Sequence, residues 1–111
     1  MPRIVYLTSA LRDLAKAASD IEEASQSRNV ALAFTERLTD YCEHIAQLPG
    51  LLGRSRRELR SEYRSITFGS YVIFFRYVDG VTPRDIMEII HIVHGARDIE
   101  AFFYRTYGDV P

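Results

Sequence analysis

The stretch YVIFFRYVDGVTPRDIMEIIHIVH, residues 71–94, decides the fold. Its first eight residues, Tyr71 to Val78, are so rich in β-branched and aromatic side chains that they read as a strand covered over much of both faces. Asp79-Gly80 is a hairpin signal, and the insert VTPRD lengthens the connection beyond a two-residue turn. Ile86 to His94 forms the next strand, which Gly95 breaks.

Upstream of the hairpin the period of two continues, because Tyr63 to Phe68 runs into the Gly69-Ser70 turn and supplies another strand. Earlier still the period is that of a helix. Leu11, Leu14, Ala15, Ala18 and Ile21 recur at three and four residues, with Arg12, Asp13, Lys16, Asp20 and Glu23 facing elsewhere, which predicts an amphipathic helix of about four turns. Ser25, Gln26 and Ser27 interrupt it, and Ser27 is placed to cap a second helix with Ala31, Phe34, Leu38, Tyr41, Cys42 and Ile45 on one face. So short a break favours an antiparallel helical hairpin. Pro49, Gly50 and Gly53 end the second helix.

At the start, RIVYL (3–7) reads as a short strand leading to Thr8, a candidate N-cap for the first helix. At the far end, Asp98 is placed to cap a closing helix with Ile99, Phe102 and Phe103 inward. The order β-α-α-β-β-β-α predicts one α+β domain over 1–111, a helical hairpin packed on a small, mostly antiparallel sheet. The first strand has to join that sheet, since so short a strand is not stable alone.

Composition agrees with a globular chain. With 111 residues, 47% apolar and 26% charged, the chain buries roughly two-thirds of its unfolded surface and is too hydrophobic for a disordered tail. No apolar run approaches a membrane span, and the opening MPRIVYLTSALRDL lacks a secretory h-region, so a cytoplasmic protein without membrane contact is expected. One cysteine, Cys42, excludes an internal disulfide and any multi-cysteine zinc site. Its place on the apolar face predicts a buried, inert thiol.

The charge is divided. A net −1 conceals thirteen arginines against a single lysine, Lys16. Segment 54–76 is basic, with Arg54, Arg56, Arg57, Arg60, Arg64 and Arg76 against Glu58 and Glu62; segment 13–43 is acidic. Guanidinium groups suit forked recognition of carboxylate or phosphate, so the basic segment is a candidate anion-binding surface. On an extended backbone Arg54, Arg56, Arg60 and Arg64 would share one side. The plainer alternative is a solvated loop whose charges pair with Glu58 and Glu62.

Chemistry-bearing motifs are few. His91 and His94 lie three apart on a strand and point to opposite faces, which gives no two-ligand metal site. No metal and no cofactor is expected. His91 suits proton transfer with Arg76 as a clamp if the two meet across the sheet; the alternative is a histidine hydrogen-bonded to backbone. His44 has no evident partner. No G-x-S-x-G, Walker or G-x-G-x-x-G motif is present. The aromatics Tyr63, Phe68, Tyr71, Phe74, Phe75 and Tyr77 alternate along strands and read more simply as core than as a base-stacking platform.

Taken together, Val5-x-Leu7-Thr8, Leu48-Pro49-Gly50, Gly53-Arg54-Ser55-Arg56-x-Glu58-Leu59, Arg64-Ser65, Gly69-x-Tyr71-Val72-Ile73-Phe74-Phe75-Arg76 and His94-Gly95-Ala96-Arg97-Asp98-Ile99 resemble the ParE branch of the RelE/ParE toxins. These are the toxin halves of bacterial type II toxin–antitoxin modules. The resemblance implies a helical hairpin on an antiparallel sheet, a ParD-like antitoxin whose disordered segment folds onto the toxin, and hence a hetero-oligomer. It also implies a non-catalytic toxin that binds DNA gyrase, with no direct DNA binding by the toxin alone. The expected partner-binding residues are Arg54, Arg56, Arg57, Arg60, Arg64, Arg76, His94, Arg97, Phe102 and Phe103.

The alternatives are a RelE-like ribosome-dependent mRNA interferase using His91, Arg76, Arg54 and Arg56, or a degenerate toxin that binds antitoxin alone. RelE-like sites draw on several lysines and arginines with a C-terminal tyrosine. Here the one lysine is distant, and Tyr104 and Tyr107 fall in a helix. The ParE-like pattern commonly carries a basic residue just upstream of the His-Gly pair on the last strand, where this chain has His91.

Overall fold

The computed structural model describes residues 2–108. Within them the chain forms β1 (Arg3–Tyr6), α1 (Thr8–Ser25), α2 (Arg28–Gln47), β2 (Arg54–Ser55), β3 (Arg64–Phe68), β4 (Tyr71–Val78), β5 (Ile86–His94) and α3 (Ile99–Tyr107). The sheet has the order β1-β5-β4-β3-β2. Only the β1–β5 pair is parallel; the others are antiparallel. The α+β class and the helical hairpin are therefore as expected, with the two-residue strand β2 added before β3.

Two apolar layers hold the sheet. On one face α1 and α2 bury Ala10, Leu14, Ala17, Phe34, Leu38, Cys42 and Ile45 against Ile73, Phe75, Met87, Ile89 and Ile92. On the other, Leu59, Tyr63, Val72, Phe74, Ile90 and Val93 pack under Phe103 of α3. Each fully buried Phe, Leu or Ile contributes about 1.5–3 kcal/mol relative to exposure. Covering on both faces explains why β4 and β5 are nearly continuous apolar runs.

Two local expectations are corrected. Thr8 is not the N-cap of α1: Leu7 holds that place with extended φ and ψ, makes no side-chain cap bond, and leaves Thr8 as the first helical residue. The buried face of α1 is Ala10, Leu14 and Ala17, while Leu11 is 52% exposed and Ala15 faces solvent. The helix is thus rolled from the expected stripe, because two small alanines let its backbone come close to the sheet. Ser27 and Asp98 do cap their helices, accepting from the backbone N–H of Val30 at 3.2 Å and of Ala101 at 3.1 Å.

A bulge at Phe74/Phe75 shifts the β4–β5 register, so that Phe74 faces His91 but Phe75 faces Ile89. Strict alternation from Met87 and Ile89 would send His91 towards the helical hairpin. The extra residue, Ile90, reverses that parity and turns His91 to the α3 face. There its ring meets Phe102 and Phe103 edge-on.

Candidate functional site

The β1–β5 pairing stops at Tyr6 and Ile89. Beyond it, the edge of β5 would expose backbone groups that need partners. The first turns of α1 supply them: Ser9 Oγ donates to the carbonyl of Ile90 at 2.6 Å, and Asp13 Oδ2 accepts from the backbone N–H of Ile92 at 3.0 Å. The spacing of Ser9 and Asp13, four residues on a helix, puts both side chains on the same face.

Asp13 has a second role. Its Oδ2 lies 2.7 Å from Nδ1 of His91, and Nε2 of the same ring meets the hydroxyl of Tyr107. A carboxylate only accepts, so His91 donates from Nδ1, and its Nε2 accepts from the tyrosine when the ring is neutral. His91 is 4% exposed. Burial, with the neighbouring Tyr63 and Asp13, raises the Tyr107 phenol above its ordinary pKa. The result is one hydrogen-bonded chain, Asp13–His91–Tyr107, joining α1, β5 and α3.

His91 and Arg76 share a face of the sheet but do not meet. Arg76 stands opposite Glu88, donating Nε to Oε1 at 2.7 Å, and its Nη1 reaches Glu62 at 3.4 Å. Partial burial works against its charge, but the hydrogen bond and charge of Glu88 outweigh that and hold the guanidinium above its ordinary pKa.

The basic segment does not form one extended side. Residues 57–62 turn, with the carbonyl of Arg56 accepting from the backbone N–H groups of Leu59 and Arg60. Arg56 folds inward, its Nε 2.8 Å from Ser65 Oγ and its guanidinium over the Phe74 ring at 5.6 Å. Arg64 closes the loop before β2 through Leu52 O at 2.6 Å and Gly53 O at 2.9 Å. Arg54 and Arg57 are exposed, Arg60 is half-buried, and none of the three has a carboxylate partner among the described residues.

A separate cleft of about 330 Å³ lies between α1 and the end of β5. It is lined by Lys16, Ile21, Tyr71, His94, Arg97 and Phe102, among others. It brings together three of the ten expected partner-binding residues, His94, Arg97 and Phe102. The fourth from this end of the chain, Phe103, is 1% exposed and belongs to the core. His91 and His94 face opposite sides as expected, and among the described residues no cluster of His, Cys, Asp and Glu is arranged to hold a metal. No helix there is long and apolar enough to cross a membrane.

The sequence reading missed Asp13 and Tyr107 as partners of His91. Asp13 carries the pattern of a solvent-facing helical acid. The only available signal was its four-residue spacing from Ser9, which has no meaning until β5 lies beside it.

Comparison with known proteins bears on identity. No curated protein matches the chain. Among solved structures it is similar to a chain of the chromosomal ParDE toxin–antitoxin system from P. aeruginosa, with a TM-score of 0.69 and 18% identity over 85% of this chain and 96% of that one. At that identity the likeness speaks for the fold. A family model described as the ParE toxin of the type II toxin–antitoxin system, parDE, matches residues 4–99. That span runs from β1 to the start of α3, and the chain belongs to the ParE toxin family.

Proposed function

We propose that this ParE-family toxin acts by protein contact, inhibiting DNA gyrase in the cytoplasm, and is neutralised by a ParD-like antitoxin with which it forms a hetero-oligomer. The observation that carries this reading is the state of the groups a nuclease would need. His91 is buried with both ring nitrogens engaged, and Arg76 is committed to Glu88 and Glu62. General acid–base cleavage of RNA needs a proton-transfer group within reach of the 2′-hydroxyl and cations aimed at the phosphate. His91 and Arg76 meet neither need, Arg56 is turned inward onto Ser65 and Phe74, and Arg54 is the one member of the set left exposed.

The groups left for contact are Arg54, Arg57 and Arg60 on the loop and the cleft with Arg97, His94 and Phe102. Exposed arginines on the loop, and Arg97 in the apolar cleft, suit acidic and amphipathic segments that order on binding. The antitoxin is the partner with that chemistry.

Purified toxin added to gyrase during supercoiling of relaxed plasmid tests the reading. Inhibition that disappears on titration with antitoxin is expected. Supercoiling untouched at saturating toxin would sink the gyrase assignment. RNA cleavage that is lost in His91→Ala would replace it with the interferase.

A further inference from the structure

The helix α3 has nine residues, too few to persist alone in water, and Phe103 is its only fully buried side chain. Its first turn is held locally by the Asp98 cap. Among the described residues, the side-chain hydrogen bond that ties its last turn to the rest of the molecule is that of Tyr107 to His91.

These two kinds of anchor do different things. Phe103 packs against Tyr63, Phe74 and His91, and apolar contact of this sort is strong but non-directional. One buried aromatic, with Ile99 and Phe102 only partly buried beside it, does not by itself fix how the helix is turned. A hydrogen bond is directional, and more so in apolar surroundings, where water does not compete. His91 can hold Tyr107 only if its ring does not turn. Asp13 fixes the ring at Nδ1 and is itself fixed, because the same Oδ2 accepts from Ile92 in β5.

We infer that Asp13 and His91 are positioning residues for α3, acting through Tyr107 to set the orientation of the helix. The exposed side chains whose place they determine are Tyr104, 63% exposed, and Arg105. The hydrogen-bonded chain holds that face of α3 in one orientation. Its bearing on the target rests on the gyrase reading above; the positioning itself does not.

Amide hydrogen exchange on the whole chain tests this, with Asp13→Ala, Tyr107→Phe and the double variant. Tyr107→Phe removes only the hydroxyl, and Asp13→Ala removes the oxygen that accepts from both His91 and Ile92. Each single variant should speed exchange across residues 102–107 at least tenfold while α2 and β4 exchange as before. Because the two act on one chain, the double variant should be no faster than the faster single one. Unchanged exchange in α3, or single effects that multiply in the double variant, would overturn the inference. General loosening of α2 and β4 would do so too, since it would make the chain a fold determinant and not a positioning device.

A supercoiling assay on the same proteins separates this from the gyrase reading. Unaltered toxin that never inhibits gyrase removes that reading alone, and exchange still decides the positioning role. Where unaltered toxin does inhibit, the variants should need at least ten times more protein.

Discussion

Arg76 and Glu88 face each other across the β4–β5 ladder, the arginine Nε donating to the carboxylate at 2.7 Å, on the same face of the sheet as His91. The cation on the last long strand pair is thereby committed to Glu88 and, through Nη1, to Glu62. Glu88 is only 17% exposed, so Arg76→Met leaves a carboxylate short of its main partner. Because the arginine itself is a third exposed, the cost should be about 1–3 kcal/mol, below that of a fully buried pair. Urea unfolding checks it, and Arg76→Met with Glu88→Leu should recover part of the loss.

The arginines of the basic segment should separate by role. Arg54→Glu with Arg57→Glu changes two exposed side chains that have no carboxylate partner among the described residues, so stability should move by no more than about 0.5 kcal/mol. Affinity for antitoxin should fall at least tenfold, on an order set by like charges at close range, and salt should narrow the difference. Arg64→Ala should do the opposite. It strands the carbonyls of Leu52 and Gly53 and should cost about 1–3 kcal/mol. Isothermal titration and urea melts on the same three proteins distinguish the two classes.

Gly53 and Gly69 both adopt positive φ, +80° and +57°, yet they should tolerate alanine differently. A Cβ on Gly53 would sit 2.7 Å from the backbone oxygen of Ser65 and 2.9 Å from Phe75 Cζ; one on Gly69 meets nothing within 4 Å. Gly69→Ala should cost about 1 kcal/mol of backbone strain, and Gly53→Ala about 2–4 kcal/mol as β2 is pushed from β3. Denaturant midpoints measured side by side suffice.

Burial pushes the Cys42 thiol up from 9.0 to about 11, and burial likewise raises Tyr107. Both groups are neutral when protonated, and the fold disfavours their anions. The thiol's contribution to stability is therefore intact below its unfolded pKa and is lost as pH rises from about 9 through 11, and the phenol's is lost from its ordinary value of 10.0 upward. Thermal midpoints should be level between pH 7 and 9 and fall beyond, less steeply in Cys42→Ala. At pH 8 a disulfide reagent should leave Cys42 unmodified until urea unfolds the chain.

Much of the architecture was legible because it rests on local chemistry. Ser27 and Asp98 cap where a short polar side chain meets the first free N–H groups, and the run from Tyr71 to Val78 could only be a doubly covered strand. What was not legible depended on distant neighbours. Leu11 was read as core because periodicity defines a stripe but not how the helix is rolled against its support. The shared side expected for Arg54, Arg56, Arg60 and Arg64 assumed extended backbone where residues 57–62 turn. His91 stood out as a proton-transfer residue, yet its partners Asp13 and Tyr107 are 78 and 16 residues away. A bulge that no residue type announces turns its ring to where it reaches both.

The parallel pairing of β1 with β5 has a consequence for how the toxin is made. Residues 3–6 leave the ribosome well before residues 86–89, their partners. Until those emerge, β1 has no ladder to join and the hairpin core lacks Met87, Ile89 and Ile92. Contacts this far apart in sequence form late, since the intervening chain must be ordered first. A nascent chain therefore stays without its complete sheet until β5 has emerged, so the fold cannot close around α1 and α2 as they are made.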